Sequence, residues 1–127
     1  MASEKDLETV IKDHNNNDKK QVYRGRFLNF DFAIQIDDQS YLIKIAKGLV
    51  VSVTPLDKTT GKPLFVFTAS SETWDIFSRK YPPPGYQDVM AMVECGHAKL
   101  TGEIFPVLVN LFFVKGVVNG IRMRRAA

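Results

Sequence analysis

The sequence predicts one α/β domain. Three observations carry this. Leu28, Phe30, Phe32, Ile34 and Ile36 alternate with more polar residues, the period-two signature of a strand with one packed face. YLIKIAK and LVVSVTP follow at short spacing, and Trp74, Phe77 and Tyr81 then recur at helical spacing. The chain has 127 residues, 45% hydrophobic and 24% charged, which suits a single folded domain over residues 1–127.

The elements follow in order. Leu7, Val10, Ile11 and His14 lie on one face of an opening helix, with Ser3 as its cap and Asp6 three residues later. HNNNDKK reads as the loop that ends it, so residues 1–20 form a helix and a polar loop. After the first strand, Asp37–Ser40 reads as a turn. Tyr41, Ile43 and Ile45 share a face of the second strand, and Gly48 permits a bend before the third. These three strands predict an antiparallel meander. LFVFTAS is apolar on both faces and predicts a central or doubly covered fourth strand. Ser70 caps the next helix, Glu72 suits its positive end, and YPPPG stops it. Gln87 to Glu94 resumes a helix with Met90 and Val93 on one side. His97 to Thr101, bracketed by Gly96 and Gly102, predicts a short fifth strand.

Residues 104–122 read as one apolar C-terminal helix, with Pro106 in its first turn and Gly116 as a weak point. Lys115, Asn119 and Arg122 fall in a narrow arc. From Ile104 to Val114 only Asn110 interrupts the apolar residues, so that half needs nonpolar material on nearly every side. A domain this small has few elements to supply it. A partner subunit, a membrane surface or an apolar ligand must complete the cover.

Composition narrows the classes. A bilayer span takes about 20 predominantly apolar residues, and the apolar run ends sooner and carries Pro106, Asn110 and Lys115. The net charge is +3. Arg122, Arg124 and Arg125 read as a solvated end or an anion contact, and no basic stripe predicts nucleic-acid binding. Cys95 is the single cysteine, which fits a reducing cytosol. The start lacks an apolar leader segment. Cys95 and His97 offer no four-ligand set for a metal and read as a buried cysteine and a surface histidine. No metal or cofactor is expected.

Three segments in sequence resemble the sterol carrier protein 2-like family. YLIKIAKGLVVSV resembles its strand–glycine–strand unit. LFVFTASSETWDIF resembles its strand and Ser-capped helix. MVECGHAKLTGEI resembles its glycine-bounded strand before the C-terminal helix. The resemblance spans about residues 22–118. It implies a five-stranded, mostly antiparallel sheet covered on one face by helices. It also implies an apolar tunnel between sheet and C-terminal helix, binding a fatty acid, acyl-CoA, phospholipid or sterol-like lipid without catalysis. Ser78–Tyr81 and three prolines stand where the family usually has a lysine-containing turn, so the mouth is expected to differ. The Ala-Ala end lacks a peroxisomal tripeptide, and the expected location is cytoplasmic.

Within that reading, Phe105, Leu108, Leu111, Phe112 and Val118 are the candidate lining of the C-terminal helix. Phe77, Met90 and Val93 are candidate walls. Tyr81 and Tyr86, with Arg79, Lys80 and Lys115, are candidates for the mouth and a head group. Transient membrane contact and a homodimer sealed by the same helix stand beside the lipid reading. A small enzyme acting on an apolar substrate is a third reading, and it would need Asp31, Asn110 or His97 in the cavity.

Overall fold

The structure is a computed structural model describing residues 4–58 and 62–122. Helix α1 spans Glu4–Asn16 and α2 spans Lys19–Arg24. Strands β1 (Asn29–Ile36), β2 (Gln39–Ala46) and β3 (Leu49–Pro55) follow, then a 3-10 turn at Leu56–Lys58, β4 (Phe65–Ala69) and α3 (Ser71–Phe77). The chain continues through α4 (Val89–Glu94), β5 (Lys99–Gly102), α5 (Phe105–Val109) and α6 (Leu111–Asn119), and a second 3-10 turn covers Gly120–Arg122.

The five strands form one sheet in the order β3-β2-β1-β4-β5. Neighbours are antiparallel except β1 and β4, which run parallel. Register explains the core. Phe32 sits opposite Ile43, Ile34 opposite Tyr41, and Ile34 beside Phe67. Period two then places Phe30, Phe65 and Ile36 on the same face. The Phe32 and Phe65 rings stack at 4.9 Å, with Phe67 edge-on to both. β4 is an inner strand as expected, but its burial alternates, so one face carries most of its packing.

Helices cover this face. Leu7 and Ile11 of α1 are buried. α1 lies so near the second 3-10 turn that a Cβ on Gly120 would sit 2.9 Å from the Ile11 Cα. Val114, Val117, Val118 and Ile121 are fully enclosed. The Ser70 hydroxyl accepts from the Thr73 amide at 3.1 Å, as its capping position predicts.

Four expectations are corrected. HNNNDKK is not a loop throughout: α1 runs to Asn16, and α2 starts at Lys19 with Asp18 as its cap. Asn15 and Asn16 hold the chain there. The Asn16 side chain pairs with both backbone groups of Val50, at 2.8 and 3.0 Å, and Asn15 Nδ2 donates to the Gly48 carbonyl at 2.9 Å. Buried Gln21 donates to Asn15 Oδ1 and to the Phe113 carbonyl, each at 3.0 Å. Gly116 is needed here because a Cβ would collide with the Gln21 side-chain amide. The fifth strand starts at Lys99, later than expected. Cys95 is exposed, because it caps α4 before a left-handed Gly96 and lies outside any strand. Finally, residues 104–122 are not one helix. The run breaks at Asn110 (φ −115°, ψ 32°). The Asn110 side chain and its amide both donate to the Pro106 carbonyl, at 3.0 and 3.1 Å. Such side-chain bonding to the preceding turn competes with helix continuation. Ser3, Arg124 and Arg125 lie outside the described residues.

Candidate ligand groove

The break at Asn110 divides the apolar run into two unlike halves. α6 turns Phe113, Val114, Val117 and Val118 into the core. α5 buries Val107 and leaves Phe105, Leu108 and Val109 in the open. Phe112, at the start of α6, is also exposed, at 69%. Single exposed apolar residues are ordinary, but a contiguous group marks a contact surface.

A groove of about 450 Å³ opens beside this group; α2, the turn after it and the α5–α6 segment line it without any strand, so it is not the expected tunnel between the sheet and the C-terminal helix. Leu108, Val109, Leu111 and Phe112 form one wall. Tyr23, Arg24 and Arg26, from α2 and the turn after it, form the other. α2 presents them because its inner side is taken by buried Gln21 and Gly25, where a Cβ on Gly25 would collide with the Phe113 ring. The Arg24 guanidinium lies 5.9 Å from the Phe112 ring centre. Arg26 lies 3.7 Å over Tyr23 and 4.7 Å over Phe27. The groove therefore offers apolar area from the α5–α6 segment and cationic and aromatic groups from α2 and the turn after it. That volume falls in the range of small-molecule sites, about 300–1,000 Å³.

The residues named from sequence divide between places. Leu108, Leu111 and Phe112 meet at the groove, and Phe105 stands exposed on α5. Phe77 and Val118 are fully buried in the core, and Met90 and Val93 pack against it. Lys115 lies 5.7 Å from the Phe112 ring and pairs with Asp88 at 3.1 Å. Burial raises the Asp88 pKa. Hydrogen bonds from the Ala91 and Met90 amides and from Lys115, with its charge, outweigh burial and hold the carboxyl below its ordinary value. Arg79 and Lys80 are exposed beside Tyr81, and Tyr86 stacks on His97 at 4.3 Å. Arg79, Lys80, Tyr81 and Tyr86 all lie away from the groove.

Arg122 is a tie within the fold. It donates to the Phe77, Tyr86 and Gln87 carbonyls and lies 4.2 Å over the Phe77 ring. Burial lowers its pKa, with Asp88 opposing. The candidates for an enzyme are not assembled. Asn110 lies at the groove with its side chain turned back to Pro106. Asp31 lines a separate depression of about 540 Å³ with Asn29, Lys62 and Leu64, and His97 lies against Tyr86. Among the described residues no cluster suits a metal ion, and no helix is long and apolar enough to cross a membrane. The sequence reading missed Tyr23, Arg24 and Arg26. Their signal was the interleaving of cations and aromatics in KKQVYRGRF, with no acidic residue.

No family model matches the chain, and no curated protein matches it. Solved structures do. A crystal structure of sterol carrier protein 2 aligns with a TM-score of 0.73 at 12% identity, covering 94% of this chain and 95% of that one. A conserved hypothetical protein from Thermus thermophilus aligns at 0.71 and 13%, covering 98% and 89%. The UbiJ-SCP2 ubiquinone synthesis protein aligns at 0.58 and 12%, covering 98% and 92%. Sheet order, helical cover and these alignments agree, and the chain has the sterol carrier protein 2-like fold.

Proposed function

We propose that the chain binds an apolar lipid in the groove between α2 and the α5–α6 break, without catalysis. The carrying observation is that Leu108 and Phe112 stand uncovered at a groove whose opposite wall holds Tyr23 and two arginines. An acyl chain supplies the missing nonpolar cover, and each methylene removed from water contributes about 0.8 kcal/mol. Arg24 and Arg26 suit a carboxylate or phosphate head, because guanidinium donors pair with such groups in a fork. Phe77, Met90, Val93 and Val118 form or support the packed core behind the groove. The likeness to sterol carrier protein 2 supports a lipid as the ligand class.

The test is titration with a fluorescent fatty acid in solution. The expected result is saturable uptake by the wild type and a loss of roughly ten-fold or more in affinity for Leu108→Glu, with the fold intact by circular dichroism. Equal uptake by both proteins would reject the groove. A self-associating chain that takes up no fatty acid would favour the homodimer reading, because the same exposed side chains would then be covered by a second copy.

A further inference from the structure

The two edges of the sheet differ. β3 is one edge, and side chains of α1 close it: Asn16 takes both backbone groups of Val50, and Glu8 Oε2 accepts from the Val53 amide at 3.1 Å. β5 is the other edge. Lys99, Thr101, Gly102 and Glu103 are exposed there, and among the described residues β4 is the one element packed along the strand. The Glu103 amide donates inward, to the Leu64 carbonyl at 2.9 Å. In a trans peptide the carbonyl and the amide point opposite ways, so the Gly102 carbonyl faces away from β4. Antiparallel alternation turns Thr101 and Lys99 inward too, opposite Val66 and Thr68, and leaves the amides and carbonyls of Leu100 and Gly102 facing out. The Lys99 and Thr101 side chains stand on the sheet face away from Phe67 and the helices. An edge with free backbone groups is a template for another strand.

We infer that this edge pairs with β5 of a second copy of the chain, antiparallel about a two-fold axis at Thr101. Register and charge select the occupant. With Thr101 opposite itself, Leu100 of each copy meets Gly102 of the other, and their outward amides and carbonyls exchange both bonds. Lys99 of each copy then lies opposite Glu103 of the other, so opposite charges meet at both ends of the contact. A slipped register loses this fit. It sets Gly102 opposite Ala98, whose amide already donates to the Met92 carbonyl, or Leu100 opposite Ile104, whose carbonyl already accepts from Val107 and Leu108. The contact is small and belongs with transient encounters. Dilute chain is therefore a monomer, and concentrated chain pairs. No residue of this edge lines the groove, so the inference stands apart from the lipid-binding reading.

Disulfide cross-linking tests the register, in chains that carry Cys95→Ser. Antiparallel partners outside the hydrogen-bonded pairs have Cα atoms about 4.5 Å apart, within the roughly 4.4–6.8 Å that a disulfide spans. Thr101→Cys is therefore expected to give a covalent dimer on mild oxidation of concentrated protein. Lys99→Cys, on the same exposed face, is expected to stay monomeric, because its copies stand roughly 13 Å apart along the strands. Sedimentation velocity over a concentration series gives a second reading, with the wild type shifting from monomer toward dimer. Lys99→Glu and Glu103→Lys are each expected to weaken association roughly ten-fold, since like charges then meet at both ends, and the two combined to restore it. Leu108→Glu is expected to leave association unchanged. Absent cross-linking at position 101, equal cross-linking at 99 and 101, no dependence on concentration, or no recovery in the combined variant would overturn the inference. So would a dimer that Leu108→Glu dissolves, since its contact would then lie at the groove.

Discussion

Phe112 and Phe113 are neighbours in sequence and opposites in environment. Phe113 is 2% exposed and closes on Gly25, while Phe112 is 69% exposed beside the groove. A related contrast separates most of α6, which buries Phe113, Val114, Val117 and Val118, from most of α5, which buries only Val107. One hydrophobic run thus meets two environments, and composition does not distinguish them. Which half is core depends on where the sheet and α2 lie. The uncovered side chains, Phe105, Leu108, Val109 and Phe112, flank the break at Asn110.

The largest effect should come from that pair. Phe113→Ala is expected to cost about 3–5 kcal/mol of stability, as large-to-small core changes do. Phe112→Ala should stay within about 0.5 kcal/mol, like other surface changes. Urea unfolding of both variants measures this, and similar losses would erase the distinction between the packed and the uncovered side of the run.

A smaller effect sharpens the role of α2. Gly116→Ala adds helix propensity worth up to about 1 kcal/mol. It also drives Gln21 from its bonds to Asn15 and the Phe113 carbonyl, which costs about 1–3 kcal/mol if those buried groups lose partners. A net loss of roughly 1 kcal/mol is expected from these opposing effects. A more stable variant would mean that Gln21 does not hold α2 against α6.

The smallest effect concerns pH. The Asp88 carboxyl has a lowered pKa in the fold. Its contribution is therefore fully present above the unfolded value of about 4 and is lost as pH falls through the lower folded value. Asp88→Asn should be less stable than wild type at neutral pH, and the gap should narrow in acid. A constant gap would point to packing in place of charge.

The sheet was legible because its signal is local. Phe30 to Ile36 alternate, and register follows once β2 alternates too. Ser70 was legible as a cap for the same reason. α2 was not, since its inner side is Gln21 and Gly25. That side packs through hydrogen bonds and close approach and leaves no apolar stripe to read. Asn15 and Asn16 looked like loop residues because an asparagine amide gains its role only from a distant partner, here Gly48 and Val50. The break at Asn110 was equally hidden, as it rests on one side-chain bond to Pro106. At the groove, Leu108, Leu111 and Phe112 could be named from pattern alone. Their opposite wall was missed, because Tyr23, Arg24 and Arg26 fall where no element was predicted and only the interleaving in KKQVYRGRF marks them.

Native mass spectrometry of gently purified protein asks most directly whether a lipid completes the uncovered half of the apolar run. The expected spectrum is a monomer carrying an adduct of lipid mass, lost in Leu108→Glu and retained in Phe105→Ser. A bare chain that also leaves added fatty acid unbound would contradict the account.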